Sequence, residues 1–121
     1  MKYTESHEWI NLQDGLGVVG VTEHAQKELG DIVYVELPKE GKQVKAGEEA
    51  VVLESTKAAA DVYSPISGVI VEVNHALTKA SELVNKSPET EGWLFKIKPS
   101  DLKELDKLLD PEAYQAMLSK A

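Results

Sequence analysis

Apolar residues along this chain recur in short alternating runs bounded by glycine, proline and acidic residues, a period of two that predicts strands over most of its length. Residues 2–12 alternate around His7-Glu8-Trp9-Ile10 and read as a first strand. Asp14-Gly15 reads as a turn and Leu16 to Val21 as the strand that leaves it. Thr22 is suited to cap a short helix through Glu23, His24, Ala25, Gln26 and Leu29, stopped by Gly30. Asp31 to Leu37 returns to strand and ends at Pro38, and Ala46-Gly47-Glu48 is the next turn. Val69 to Val73 is the clearest strand, residues 74–86 read as short or helical turns, and Gly92 to Ile97 is a last strand. Beyond it, Leu102, Leu105, Leu108 and Leu109 predict an amphipathic helix behind Ser100 as N-cap. Asp110-Pro111 restarts a second helix, with Tyr114, Met117 and Leu118 on its apolar side.

The centre of this pattern is a hairpin. Ala50 to Ser55 and Ala58 to Ser64 alternate as two strands, with Val51 and Leu53 on one face of the first and Ala58, Ala60 and Val62 on one face of the second. The turn Ser55-Thr56-Lys57-Ala58 has no Gly, Asn or Asp, so a type I geometry, which accepts most residues, fits it. Small neighbours leave the Lys57 side chain open to a large partner. By itself a turn lysine is most often a solvated surface group. The hairpin around it, followed by Ser64-Pro65-Ile66-Ser67-Gly68, is what singles Lys57 out.

Composition narrows the function classes. At 121 residues the chain suits one domain, residues 1–121, with a core over about 2–98 and C-terminal helices over about 100–119. The formal charge is −8 and every one of the 13 basic residues is lysine. Nucleic-acid binding wants a basic face with arginine forks, so none is expected. There are no cysteines, which excludes disulfides, thiolate metal sites and cysteine nucleophiles. No apolar run approaches the about 18 residues of a membrane span, and the N-terminal residues lack a signal-peptide core, so no membrane partner is expected. Asn85-Lys86-Ser87 matches a glycosylation sequon that carries no weight without secretion.

Two apparent motifs dissolve on inspection. Gly15-Leu16-Gly17-Val18-Val19-Gly20 matches the dinucleotide pattern letter for letter, yet its glycines lie inside a strand instead of opening a helix onto a pyrophosphate. His7, His24 and His75 are too scattered in sequence to suggest a metal site, and none is expected. No cluster of nucleophile, base and orienting group is visible, so no catalytic residues are assigned and the protein is expected not to be an enzyme.

A lysine at a hairpin tip resembles lipoyl and biotinyl domains, and Thr56-Lys57-Ala58 stands nearer the lipoyl side. Several separated stretches sharpen this. They are Ser6-His7-Glu8-Trp9, Gly20 to Gln26, Leu29 to Pro38, Glu54 to Ala59, Ser64 to Gly68, Leu83-Val84-Asn85 and Gly92-Trp93. In that order, across essentially the whole chain, they resemble the glycine cleavage H-protein family. Isolated lipoyl or biotinyl domains share the hairpin but lack the flanking stretches. Two departures stand out: Thr56 where the family often has valine, and Ala80-Ser81 where it often has proline.

The resemblance implies a mainly β fold, a lipoyl/biotinyl-type hammerhead of two small antiparallel sheets in a β-sandwich, with a short helix after the first strands and a C-terminal helical tail. It implies lipoate in amide linkage on Lys57, with Glu54 and Ser55 as recognition features for the lipoylating enzyme. Ser6, Glu8 and Asp61 match positions that line a cleft for the aminomethyl-loaded arm. The implied partners are a pyridoxal-phosphate glycine decarboxylase (P protein), a tetrahydrofolate-dependent aminomethyltransferase (T protein) and dihydrolipoamide dehydrogenase (L protein). A monomer is the default for such a carrier, and the compartment is bacterial cytoplasm or, for a mature form, the mitochondrial matrix. The alternative is an H-like lipoate donor that relays lipoate to other enzymes. Trp9 and Trp93 are expected in the core, and Glu8 and Asp61, without the resemblance, read as solvated carboxylates.

Overall fold

The computed structural model describes residues 1–120, built as nine strands on two antiparallel sheets with short helices between them. In chain order these are β1 (Lys2–Tyr3), β2 (Glu8–Gln13), β3 (Leu16–Val21), α1 (Glu23–Leu29), β4 (Ile32–Glu36), β5 (Gln43–Val44), β6 (Glu49–Ser55), β7 (Ala59–Tyr63), β8 (Gly68–Val73), α2 (Leu83–Lys86), β9 (Phe95–Pro99) and α3 (Pro111–Ser119), with 3-10 turns at His75–Thr78 and Leu102–Lys107. One sheet has the order β1-β2-β3-β9-β8-β5 and the other β4-β6-β7. Residues of both sheets, among them Ile10, Val19, Phe95 and Ile97 from one and Val35, Val51, Leu53 and Val62 from the other, form a single buried cluster. This is the mainly β sandwich expected from the alternation, since each sheet has an apolar face that only the other can cover.

The glycines of β3 have a packing role. A Cβ on Gly17 would stand 2.6 Å from Ile10 Cδ1, and one on Gly20 2.7 Å from the Trp9 ring. Both therefore admit bulky neighbours of β2 across the strand pair. The dinucleotide reading was rightly set aside, because these glycines sit within β3.

Three local readings need correction. Residues 2–12 are not one strand. The chain turns at residues 4–7, with His7 at φ 72°, and β1 folds back onto β2 so that Tyr3 pairs with Trp9. Thr4 drives the reversal: its N–H donates to the Glu8 carbonyl at 2.9 Å, and its hydroxyl accepts from the Glu8 N–H at 2.9 Å. The last strand begins at Phe95, later than Gly92, although the Leu94 N–H still donates to Val19 O at 2.7 Å. Finally, Leu102–Lys107 is a 3-10 turn capped by Asp101 instead of an α-helix capped by Ser100. Leu102, Leu105 and Leu108 recur every third residue, the period of a 3-10 helix. Asp110, before Pro111, is held extended, which stops any helix from running through.

The tail is fastened to the body. Tyr3 and Leu109 exchange backbone hydrogen bonds at 2.7 and 2.8 Å. In α3, Tyr114 is buried with its ring stacked 4.5 Å from that of Tyr3. The Glu104 carboxylate accepts from the Ser67 N–H at 2.7 Å and the Ser67 hydroxyl at 2.9 Å.

Candidate functional site

Lys57 is exposed at the tip of the β6–β7 hairpin, whose register pairs Glu54 with Ala59 and Leu53 with Ala60. Ser55 makes the turn without glycine. Its N–H donates to the Ala58 carbonyl at 2.9 Å, and its hydroxyl accepts from the N–H groups of Lys57 and Ala58 at 3.1 and 3.2 Å. A serine side chain that mimics a backbone turn replaces the Asn or Gly usually needed. The Thr56 N–H donates to Asp31 O at 3.0 Å, tying the tip to the segment that enters β4.

That segment is itself held by Asn85. Its amide nitrogen donates to Gly30 O at 2.9 Å and Gln26 Oε1 at 3.0 Å, and its Oδ1 accepts from the Ile32 N–H at 2.8 Å. The Ser81 hydroxyl adds a bond to Ile32 O at 3.1 Å. Gly30, at φ 82°, ends α1 directly beside the lysine, where a Cβ would stand 3.3 Å from Lys57 Cε. Asn85 and Gly30 thus position the hairpin tip, and sequence reasoning missed both roles. Asn85 stood out in the sequence only within the Leu83-Val84-Asn85 family stretch and the glycosylation sequon, and neither indicates a bond to Gly30.

Between α1 and β7 lies a cleft of about 170 Å³, lined by Ser6, His7, Glu8, Leu29 and Asp61 with apolar Val21, Ala25, Ala60 and Val62. Leu29, which lines the cleft, precedes Gly30, whose Cβ position is the one 3.3 Å from Lys57 Cε, so the cleft and the lysine stem flank the same C-terminal end of α1. The structure brings Ser6, Glu8 and Asp61 together here, while Glu54 is exposed in β6 with Tyr34 and Ala59 as its cross-strand partners. Asp61 is an exposed carboxylate, but Glu8 is buried at 3% exposure.

Glu8 is the chemically distinctive group. Its Oε1 accepts from the Thr4 hydroxyl at 2.5 Å and the Ser6 hydroxyl at 2.6 Å, and its Oε2 from the Tyr63 N–H at 3.3 Å. Burial pushes its carboxyl above the ordinary glutamate range, and these donors offset only part of that effect. A buried carboxylate beside an apolar wall is a receptor for a cation that arrives without its water.

The histidines divide. His75 stays apart, 3.6 Å from Glu40, but His7 and His24 come together with ring centroids 4.5 Å apart, against the expectation from their spacing. His7 Nδ1 is 2.8 Å from the Tyr114 hydroxyl, which is also 2.8 Å from Thr22 Oγ1. Trp9 is buried, its indole N–H donating to Val21 O and Pro88 O at 2.9 and 3.0 Å. Trp93, expected in the core, is half-buried, with Lys96 Nζ 5.1 Å from its ring centroid.

A larger cavity, of about 650 Å³, is lined by Gln43, Lys45, Glu48, Ser67 and Glu104. Both Glu104 oxygens there are already engaged by Ser67. The smaller cleft is the better candidate because it joins a buried carboxylate to the exposed hairpin lysine.

The glycine cleavage H-protein family matches residues 1–121. A glycine cleavage system H protein from Thermotoga maritima is 58% identical over 114 residues, 94% of this chain and 92% of that protein. One from Teredinibacter turnerae is 56% identical, covering 94% of this chain and 88% of its own length. The crystal structure of a glycine cleavage system H protein from Mycobacterium marinum superposes with a TM-score of 0.89 at 37% identity, over 98% of this chain and 95% of that one.

Proposed function

The chain belongs to the glycine cleavage H-protein family, and on that premise we propose that it is the lipoyl-bearing carrier of the glycine cleavage system, with Lys57 as the attachment point. In this reading residues 1–121 act as one non-catalytic carrier domain. It visits the decarboxylase, the aminomethyltransferase, dihydrolipoamide dehydrogenase and a lipoylating enzyme in the bacterial cytoplasm. Among the described residues no helix is long and apolar enough to cross a membrane.

The observation that carries the proposal is the pairing of an exposed lysine on a hydrogen-bonded hairpin tip with a cleft at the same end of α1 that is lined by buried Glu8. The residues fit a lipoyl-lysine arm. Gly30 has no side chain to obstruct the lysine stem, and Val21, Ala25, Leu29, Ala60 and Val62 offer an apolar wall. When bound, lipoate supplies a dithiol–disulfide couple that accepts the aminomethyl group and two electrons.

This chain's residues do the rest. Amide formation at Lys57 removes its charge, which lets the arm lie on the apolar wall. Glu8, supported by Thr4 and Ser6, would meet the amine of the load with a carboxylate that the incoming cation draws back to the ionised state. Asp61 at the rim adds a second negative charge, and the apolar lining keeps water from the adduct. Ser55 and Glu54 present the lysine by position, which separates it from the other lysines of the chain.

The test is intact and peptide mass on protein expressed with a lipoylating enzyme, beside Lys57→Arg. The expected result is a lipoyl-sized increase mapped to Lys57 and absent from a folded Lys57→Arg. A biotin-sized increase, or lipoylation persisting in Lys57→Arg, overturns the assignment.

A further inference from the structure

We propose that His7, His24 and Glu28 form a binding site for one divalent transition-metal cation of the zinc type, set in the wall of the cleft. Their donor atoms all lie within 4.8 Å of one another. Modest rotamer adjustment would bring three such groups onto one ion at zinc–ligand distances of about 2.0–2.2 Å. His24 and Glu28 stand one turn apart on α1 and already touch through Nε2 and Oε1, so one face of the helix offers a nitrogen and an oxygen together. His7 approaches from the turn between β1 and β2, its ring 4.5 Å from that of His24.

Two features prepare His7 for this role. Its backbone is held at φ 72°, a conformation uncommon for a residue other than glycine, in the turn that brings its ring beside His24 of α1. Its Nδ1 is 2.8 Å from the Tyr114 hydroxyl, which continues to Thr22 Oγ1 at 2.8 Å. The His7 tautomer that carries its proton on Nδ1 donates to the Tyr114 hydroxyl and leaves the Nε2 lone pair for a metal. An outer hydrogen bond that fixes the tautomer and ring orientation is the usual companion of a metal-bound histidine.

The donor set names the chemical class. Two imidazoles and one carboxylate with further positions open suit zinc, nickel or copper, whereas magnesium and calcium prefer all-oxygen sites. His7 and Glu28 also line the cleft, so a bound ion stands at its wall. The site rests on these side chains and not on the state of Lys57.

The experiment uses the unlipoylated full chain, titrated calorimetrically with Zn²⁺ in a non-coordinating buffer slightly above neutral pH, with Co²⁺ as a visible-absorption probe. Wild type should bind one equivalent of Zn²⁺ and show Co²⁺ bands of low coordination number. His24→Ala and Glu28→Ala truncate a half-buried and an exposed side chain of α1, neither in the buried core, and should stay folded by circular dichroism while binding at least about tenfold more weakly. Tyr114→Phe, which retains the ring stacked on Tyr3 but removes the hydroxyl beside His7 Nδ1, should weaken binding by about tenfold. His75→Ala removes the other histidine–glutamate pair and should change nothing. Wild-type binding that survives in folded His24→Ala and Glu28→Ala, disappears in His75→Ala, or is undetectable overturns the proposal.

Discussion

Gly30 leaves room for the Lys57 side chain. A Cβ on residue 30 would stand 3.3 Å from Lys57 Cε and 3.6 Å from Nζ, and the residue is held at φ 82°, ψ −162°. The backbone there is open to glycine and nearly closed to other residues. Gly30→Ala is therefore expected to destabilise the fold by about 1–3 kcal/mol and to push the lysine stem out of position. Urea denaturation measures the first effect, and the initial rate of lipoylation of the folded fraction measures the second. An unchanged midpoint would show that the strain is relieved elsewhere.

Asn85 bonds Gly30, Ile32 and Gln26 at once, which makes it the clip between α2 and the α1–β4 junction that abuts the hairpin tip. Asn85→Ala leaves the Ile32 N–H and the Gly30 carbonyl without this partner. The expected cost is about 1–3 kcal/mol in urea unfolding. Amide exchange of Ile32 and Thr56 should speed up with it, while exchange in β8 and β9 tracks only the global change.

Ser55 closes the turn that presents Lys57. Ser55→Ala should cost about 0.5–1.5 kcal/mol and slow lipoylation. Ser55→Thr keeps the hydroxyl and should restore most of both. A slow rate in Ser55→Thr at normal stability would mean that the lipoylating enzyme reads the serine itself.

Glu8 has a folded pKa above its unfolded value, because burial outweighs the donors around it. Between those two values the folded state binds more protons than the unfolded one, so this group's contribution to stability falls as pH rises. The loss begins near the unfolded glutamate value, about 4.5, and is complete above the raised folded value. Subtracting the stability–pH curve of Glu8→Gln from that of wild type should leave a difference that declines with pH across that window. A difference rising with pH would mean that the Thr4 and Ser6 hydrogen bonds outweigh burial.

Gly20 faces the Trp9 ring, with a Cβ position only 2.7 Å from it. Gly20→Ala must displace an indole pinned by two carbonyls, and the expected loss is about 1–3 kcal/mol by thermal or urea unfolding. Near-ultraviolet circular dichroism of Trp9 should change in the folded variant.

The chain alone determined β3, β4, β8 and the hairpin strands β6 and β7 with Lys57 at their tip, the α1 cap at Thr22 and stop at Gly30, and the capped start of α3. Each depends on residues a few positions apart, where alternation and capping chemistry act. Ser6, Glu8 and Asp61 were legible as a group only through the family resemblance, since nothing local joins the first turn to β7. Tertiary structure decided the rest. The break at residues 4–7 depends on Thr4 meeting Glu8 and on Leu109 pairing with Tyr3 from the far end of the chain. Whether Glu8 is a solvated acid or a buried one depends on β7 and α1 closing over it. His7 and His24 meet through the β2–β3 hairpin and Tyr114, and Asn85 reaches Gly30 across 55 positions, distances at which periodicity and local propensity carry no information.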